Sequence, residues 1–140
     1  MASLENKVGI VTGAGQGIGR AIAETYAREG AKVVVADFNE SAGQDTVDKI
    51  LAAGGQASFQ FGDVSKEESV KAMVDAAVSE YGRLDIACNS AALSRGSGPI
   101  HEYERHIFDQ TLEMCLTNTW LCMKYEIPVM LVEEATVRES

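Results

Sequence analysis

Positive charge is scarce in this sequence: Lys and Arg number 12 against 21 Asp and Glu, a net charge of −9. Such a surface repels phosphate backbones and anionic lipid, which sets nucleic acid and membrane partners aside. No apolar run approaches the roughly 20 residues of a membrane span. The start, MASLENKVGIVTG, lacks a charged segment followed by a long apolar stretch, so no secretory signal is expected. Cysteine is sparse too, with only Cys88, Cys115 and Cys122. An odd count without paired spacing points to reduced thiols and a cytoplasmic setting. Internal repeats and low-complexity segments are missing. What remains is an ordinary globular composition, 46% hydrophobic and 24% charged over 140 residues. That suffices for one domain whose core needs neither metal nor disulfide.

The chain alternates between two periods. KVGIVTG (Lys7 to Gly13) is a β-branched run that reads as a buried strand. From Ile18 the period becomes helical, with Ile18, Ala21, Ile22, Thr25 and Tyr26 on one face and Gly30 as the stop. KVVVAD (Lys32 to Asp37) is a second strand, and Ser41 to Ala53 a second helix halted by Gly54-Gly55. ASFQFGDV (Ala57 to Val64) is a third strand. SKEE has capping-box spacing, Ser65 as N-cap and Glu68 three residues on, opening a helix that turns Val70, Met73, Val74, Ala77 and Tyr81 inward. LDIACN (Leu84 to Asn89) is the fourth strand. Strands alternating with helices of this length mean βαβ units, a parallel sheet and helices on both faces. After the loop-like SAALSRGSGP, a helical stretch from about Tyr103 to Leu131 places Ile107, Leu112, Cys115, Leu116, Met123, Ile127 and Met130 at helical spacing, with a kink expected at Pro128. Cys115 and Cys122, seven apart, read as core, and Trp120 as packing. Residues 1–132 form the domain and 133–140 a polar tail, with no fifth strand in the pattern.

TGAGQGIG, Thr12 to Gly19, holds four glycines in eight positions. It lies between a buried strand and an amphipathic helix, where nucleotide-binding turns occur. Gly13, Gly17 and Gly19 follow G-x-x-x-G-x-G; the G-x-G-x-x-G spacing and the P-loop both fail. The physics is unchanged by the spacing. Glycines permit close backbone approach, and the helix N-terminus offers free N–H groups and partial positive charge to a pyrophosphate. Asp37 ends the second strand 18 residues beyond Gly19. Its carboxylate accepts hydrogen bonds from a ribose 2′-OH and repels a 2′-phosphate, and Phe38 beside it brings no compensating cation, so NAD is favoured over NADP. Asp63 is expected at the same carboxyl edge of the sheet.

TGAGQGIG, VVVAD, GDVS, YGRLDIACNSAA and WLCMKYEIPVML, in that order, resemble the short-chain dehydrogenase/reductases from Lys7 to about Leu131. The resemblance implies a Rossmann-like doubly wound parallel sheet, here stopping short of the fifth strand. It implies that Gly13, Gln16, Gly17, Ile18 and Gly19 line the pyrophosphate, and that Asp37 and Phe38 adjoin the adenosine ribose. Asp63 and Val64 would then meet the adenine, and Asn89 and Ala91 of the NSAA block would lie beside the cofactor. The implied chemistry is hydride transfer between NAD and an alcohol or carbonyl substrate.

The catalytic residues of that family are another matter. Its Ser and Tyr-x-x-x-Lys have no counterpart: the residues four beyond Tyr26, Tyr81, Tyr103 and Tyr125 are Gly30, Asp85, Ile107 and Val129. Cys115 stands where the family's catalytic asparagine falls, Asn118 where a glycine does, and Ser90 and Ala92 depart from Asn-Asn-Ala-Gly. No catalytic residue is assigned. The chain is read as an NAD-binding portion that does not turn over by itself; the alternative is a silent NAD-binding module serving as a regulatory or partner subunit. His101 and His106 flank HEYERH, but five residues turn them about 140° apart on a helix, so no metal site is expected. A fourth strand without an outer neighbour leaves unpaired backbone groups, and the long helix resembles the one through which family members associate. Self-association, or pairing with an intact relative, is therefore expected.

Overall fold

The computed structural model describes residues 2–93 and 96–138, with 133–138 as backbone only. Elements follow in the order β1 (Val8–Thr12), α1 (Gly17–Arg28), β2 (Lys32–Asp37), α2 (Glu40–Ala52), β3 (Gln56–Phe61), α3 (Glu67–Tyr81), β4 (Ile86–Asn89), α4 (Arg105–Leu112) and α5 (Asn118–Arg138). A five-residue π-turn, Glu113–Thr117, joins the last two. The strands form one sheet in the order β3-β2-β1-β4, every pairing parallel. β1 and β2 lie in its middle, and β1 is buried along its whole length. Alternation sorts its residues to two faces. Val11, Val33 and Val35 pack with Ala23, Ala27, Val47 and Ile50 of α1 and α2. Ile10, Val34 and Ala36 pack with Val70, Met73, Leu121 and Cys122 of α3 and α5. The sheet is thus wound on both faces, as the two periods of the sequence require. Among the described residues no helix is long and apolar enough to cross a membrane.

Several local expectations need correcting. The buried stripe of α1 is Gly19, Ala23 and Ala27, whereas Ile18 is 77% exposed. Close seating of a helix on a sheet selects small residues at i, i+4 and i+8, and a reading weighted by side-chain size passes over them. Ser65 does not cap α3: the cap is Lys66, without a side-chain bond. The Ser65 hydroxyl instead donates to Asp63 Oδ1 at 2.6 Å. β3 ends at Phe61 and β4 starts at Ile86, both shorter than their apolar runs. On the long helix the apolar spacing does not single out the buried face. Leu112, Leu116, Met123 and Ile127 are exposed, as is Trp120 at 59%. Cys115 is exposed while Cys122 is buried. Leu121, Cys122 and Glu126 are buried instead, and Met114, Tyr125, Val129 and Met130 pack alongside. The π-turn adds a residue and so rotates the face that α5 presents to the sheet. Apolar side chains occur on both sides of α5, so amphipathicity could not orient it. Pro128 lies within α5, which continues through Arg138 into the stretch read as a tail.

Candidate functional site

At the carboxyl ends of the strands lies an open cleft of about 870 Å³. This is where crossovers on opposite faces part in an open parallel sheet. Gly13, Gln16, Gly17, Ile18, Gly19, Asp37, Phe38, Asp63, Val64 and Ala91 line it, joined by Asn39, Gly62, Ser65, Ser90, Ala92, Leu93 and Met114. None of these is Lys or Arg.

The three motif glycines have different reasons. A Cβ on Gly19 would overlap the carbonyl oxygen of Gly13 and sit 2.7 Å from its carbon, so only glycine lets α1 start this close to β1. Gly13 has φ +63, and a Cβ there would lie 2.9 Å from Ala91 Cα, which closes the cleft from β4. Gly17 has φ +56 with nothing within 4 Å of a built Cβ. Its open side is the cleft. The first turn of α1 carries no acidic side chain, and Gln16 at the cap makes no side-chain bond to it. The helix N-terminus thus faces the cleft with its dipole and amides unopposed.

Asp37 ends β2 with both carboxylate oxygens oriented: Oδ2 accepts from Gly15 N at 2.7 Å and Oδ1 from Asn39 N at 2.8 Å. Each oxygen keeps a lone pair for a further donor. Phe38, 69% exposed at the rim, meets Phe61 with ring centroids 5.6 Å apart. Asp63 Oδ1 accepts from Ser65 N at 3.0 Å, and Asp63 N donates to Ser69 Oγ at 2.9 Å, which pins the β3–α3 loop. Val64 is 6% exposed and belongs to the core as much as to the cleft wall.

Asn89 is the one expected residue that does not line the cleft. Its side chain turns toward α5, where Nδ2 donates to Glu126 Oε2 at 3.0 Å, and its Oδ1 is buried without a partner. Glu126 is only 3% exposed. Burial pushes its carboxyl above the ordinary value, and the Asn89 bond partly offsets this. Burial also raises the Cys122 thiol to about 12, with the Glu126 charge adding to it. Ala91 is held from both sides: its N–H donates to Thr12 Oγ1 at 3.1 Å and its carbonyl accepts from Asn118 Nδ2 at 3.3 Å. The latter amide also bonds Met114 O. Lys124 and Tyr125, the adjacent Lys–Tyr pair of α5, both reach Glu67 Oε1 at 2.6 Å on the outside of the fold. His101 and His106 each pair with a neighbouring glutamate and are exposed. Among the described residues no three His, Cys, Asp or Glu groups converge on a metal position.

Sequence reasoning passed over Asn39, Gly62, Ser65, Leu93 and Met114. The first three lie just beyond strand ends, which was a usable signal. Met114 arrives only through the turn before α5, which no local pattern reveals.

A family model described as Enoyl-(Acyl carrier protein) reductase matches residues 13–137. The chain is 45% identical over 131 residues to an uncharacterized oxidoreductase, YxbG, of Bacillus subtilis, covering 94% of this chain and 48% of that protein. It is 42% identical to a 2,5-dichloro-2,5-cyclohexadiene-1,4-diol dehydrogenase of Sphingobium indicum, covering 94% and 51%. Among solved structures it superposes on a hydroxysteroid dehydrogenase from Escherichia coli with TM-score 0.87 and 35% identity, over 93% of this chain and 55% of that one. A putative short-chain dehydrogenase/reductase from Burkholderia xenovorans gives TM-score 0.88 at 35% identity, over 95% and 54%. The chain spans about half the length of the curated relatives it matches. With a parallel sheet wound on both faces, a glycine turn at its first crossover and relatives of this kind, the chain belongs to the short-chain dehydrogenase/reductase family.

Proposed function

We propose that this chain is the NAD-binding part of an oxidoreductase that moves hydride between the nicotinamide and an alcohol or carbonyl group. One observation carries the reading. The uncapped N-terminus of α1, opened by Gly17, faces a cleft that the Asp37 carboxylate also lines, with no Lys or Arg among the described residues of its wall. Backbone amides and a helix dipole suit a pyrophosphate. A carboxylate with free lone pairs suits vicinal ribose hydroxyls and opposes the extra charge of a 2′-phosphate.

The residues present fit that group. Gly13, Gln16, Gly17, Ile18 and Gly19 would hold the pyrophosphate, Asp37 and Phe38 the adenosine ribose, and Asp63 and Val64 the base. Ala91 would bound the far side. The bound dinucleotide supplies the hydride chemistry, while the residues of this chain bind and orient it. Asn89 acts at one remove, tying the end of β4 to α5. Because Ser and Tyr-x-x-x-Lys have no counterpart among these 140 residues, the polypeptide by itself binds but does not turn over. The outward stripe of Phe108, Leu112, Leu116, Trp120, Met123 and Ile127 is larger than isolated exposed side chains account for, and we read it as a self-association surface.

Titration of the folded chain with NADH and NADPH, followed by nicotinamide fluorescence, tests the cofactor reading. Saturable binding with NADH the tighter ligand is expected. Folded protein that binds neither sinks it. Sedimentation showing a monomer at all concentrations removes the association reading.

A further inference from the structure

Behind the cleft wall, on the side away from the dinucleotide position, four groups connect in one direction. Arg20 Nε donates to Thr46 Oγ1 at 2.9 Å. With that lone pair taken, the Thr46 hydroxyl donates onward to Ala14 O at 2.8 Å; its other acceptor, Ala42 O, lies at 3.3 Å. Ala14 O belongs to the same peptide unit as the Gly15 N–H, and that N–H donates to Asp37 Oδ2 at 2.7 Å. A guanidinium therefore leads, through one hydroxyl and one peptide group, to the carboxylate that faces the ribose position. Every donor points the same way, from the cation toward the anion, so each bond polarises the next.

The chain of bonds is also mechanically fixed. Thr46 is fully buried. The second arm of Arg20, Nη2, reaches Gly15 O at 2.5 Å and pairs with Asp45 Oδ2 at 2.9 Å, clamping the following peptide as well. Gly15 packs closely on the same carboxylate: a Cβ on it would lie 2.8 Å from Asp37 Oδ2 and 2.9 Å from Ala42 Cβ. The Ala14 N–H is held by Ala36 O at 3.1 Å. Neither Arg20 nor Thr46 lines the cleft.

We propose that Thr46 and Arg20 are positioning residues that set the rotamer of Asp37, and through it the preference for a dinucleotide bearing a 2′-hydroxyl over one bearing a 2′-phosphate. The proposal rests on the NAD reading above and adds to it the part of the molecule that enforces the choice. Without the Thr46 hydroxyl, Ala14 O loses its donor and the Gly15 peptide is free to tilt. Asp37 then loses its shortest bond and can swing from the ribose position.

Two readouts on the full chain test this. The Gly15 amide proton in the ligand-free protein reports the bond to Asp37 directly, and titration with NADH and NADPH reports selectivity. Thr46→Val should move the Gly15 amide proton upfield and cut the NADH-over-NADPH ratio about tenfold, the scale of one buried charge-assisted bond. Thr46→Ser should restore both. A folded Thr46→Val with an unmoved Gly15 amide overturns the proposal, as does equal weakening for both dinucleotides. If Thr46→Val does not fold, Arg20→Gln, at a partly exposed side chain, carries the same two expectations and the same refutations. Wild-type chain that is folded yet binds neither dinucleotide defeats the NAD reading and the selectivity claim with it, while the amide shift still decides whether the relay exists.

Discussion

Alanine substitutions at Gly17 and Gly19 separate the two jobs of the glycine turn. At Gly19 the added methyl meets backbone of Gly13 and Ala14, which no rotamer change can move aside. Overpacking of that kind costs about 3 kcal/mol, the upper part of the usual range, because β1 and α1 must part. For a domain of this size that lowers the melting temperature by about 10 °C. At Gly17 the methyl meets nothing within 4 Å. The cost is only that of holding alanine at positive φ, about 1–2 kcal/mol, less the unfolded-state gain of roughly half that. A melting temperature about 2–3 °C lower is expected. Binding should reverse the order of emphasis. Gly17 lines the cleft at the first turn of α1, so if its methyl displaces one amide–anion bond NADH weakens about tenfold or more. Thermal melts and NADH titrations of the two variants, measured together, are the assay. Gly17→Ala that binds NADH like the wild type would show that no phosphate sits over Gly17, and the cleft would lose its assignment. Gly19→Ala that melts like the wild type would refute the packing argument.

Glu126 yields a pH-dependent prediction. Its folded carboxyl is raised, chiefly by burial, so its contribution is most favourable below the unfolded value and is lost as pH rises through the folded one. Glu126→Gln should therefore be more stable than wild type by about 1–2 kcal/mol at pH 7, since an amide can also donate to Asn89 Oδ1, with the gap closing toward pH 4. Melting curves at the two pH values check this, and a gap independent of pH refutes it. Asp37→Asn keeps the shape and removes the charge, so NADPH should gain on NADH by about tenfold in paired titrations; an unchanged ratio would mean the carboxylate does not face the ribose.

Much of this molecule is legible in its sequence because the information is local. β1 and the interior of β2 are buried and largely apolar because both faces are covered, and helical spacing on α3 agrees with burial at Val70, Met73, Val74 and Ala77. The glycine turn stands out by spacing and position, and ten of the eleven residues that the motif, Asp37 and the family resemblance pointed to line one cleft. What escaped was set by contacts distant in sequence. Ser65 has the spacing of a helix cap, yet Asp63 sits closer and takes its hydroxyl. Asn89 ends a strand aimed at the cleft, yet Glu126, 37 residues on, draws its side chain away. Nothing near Thr46 in the sequence points to Ala14, 32 residues earlier.

The misoriented helix has a reason of its own. With Met123 and Ile127 exposed, α5 buries Leu121 and Cys122 and, beside them, the polar Asn118 and Glu126. Both serve the far wall of the cleft. Asn118 holds the carbonyl of Ala91, whose other end is fastened to Thr12 of β1. Glu126 holds Asn89, two residues before Ala91 and paired with Thr12 in the sheet. Ala91 is also the residue that leaves Gly13 no room for a side chain. Two polar side chains of α5, which a purely apolar pattern would have placed outside, thus bond the segment that packs against Gly13. Local patterning fails where a protein spends stability on a site. On this helix the exceptions are the two polar residues that bond Asn89 and Ala91.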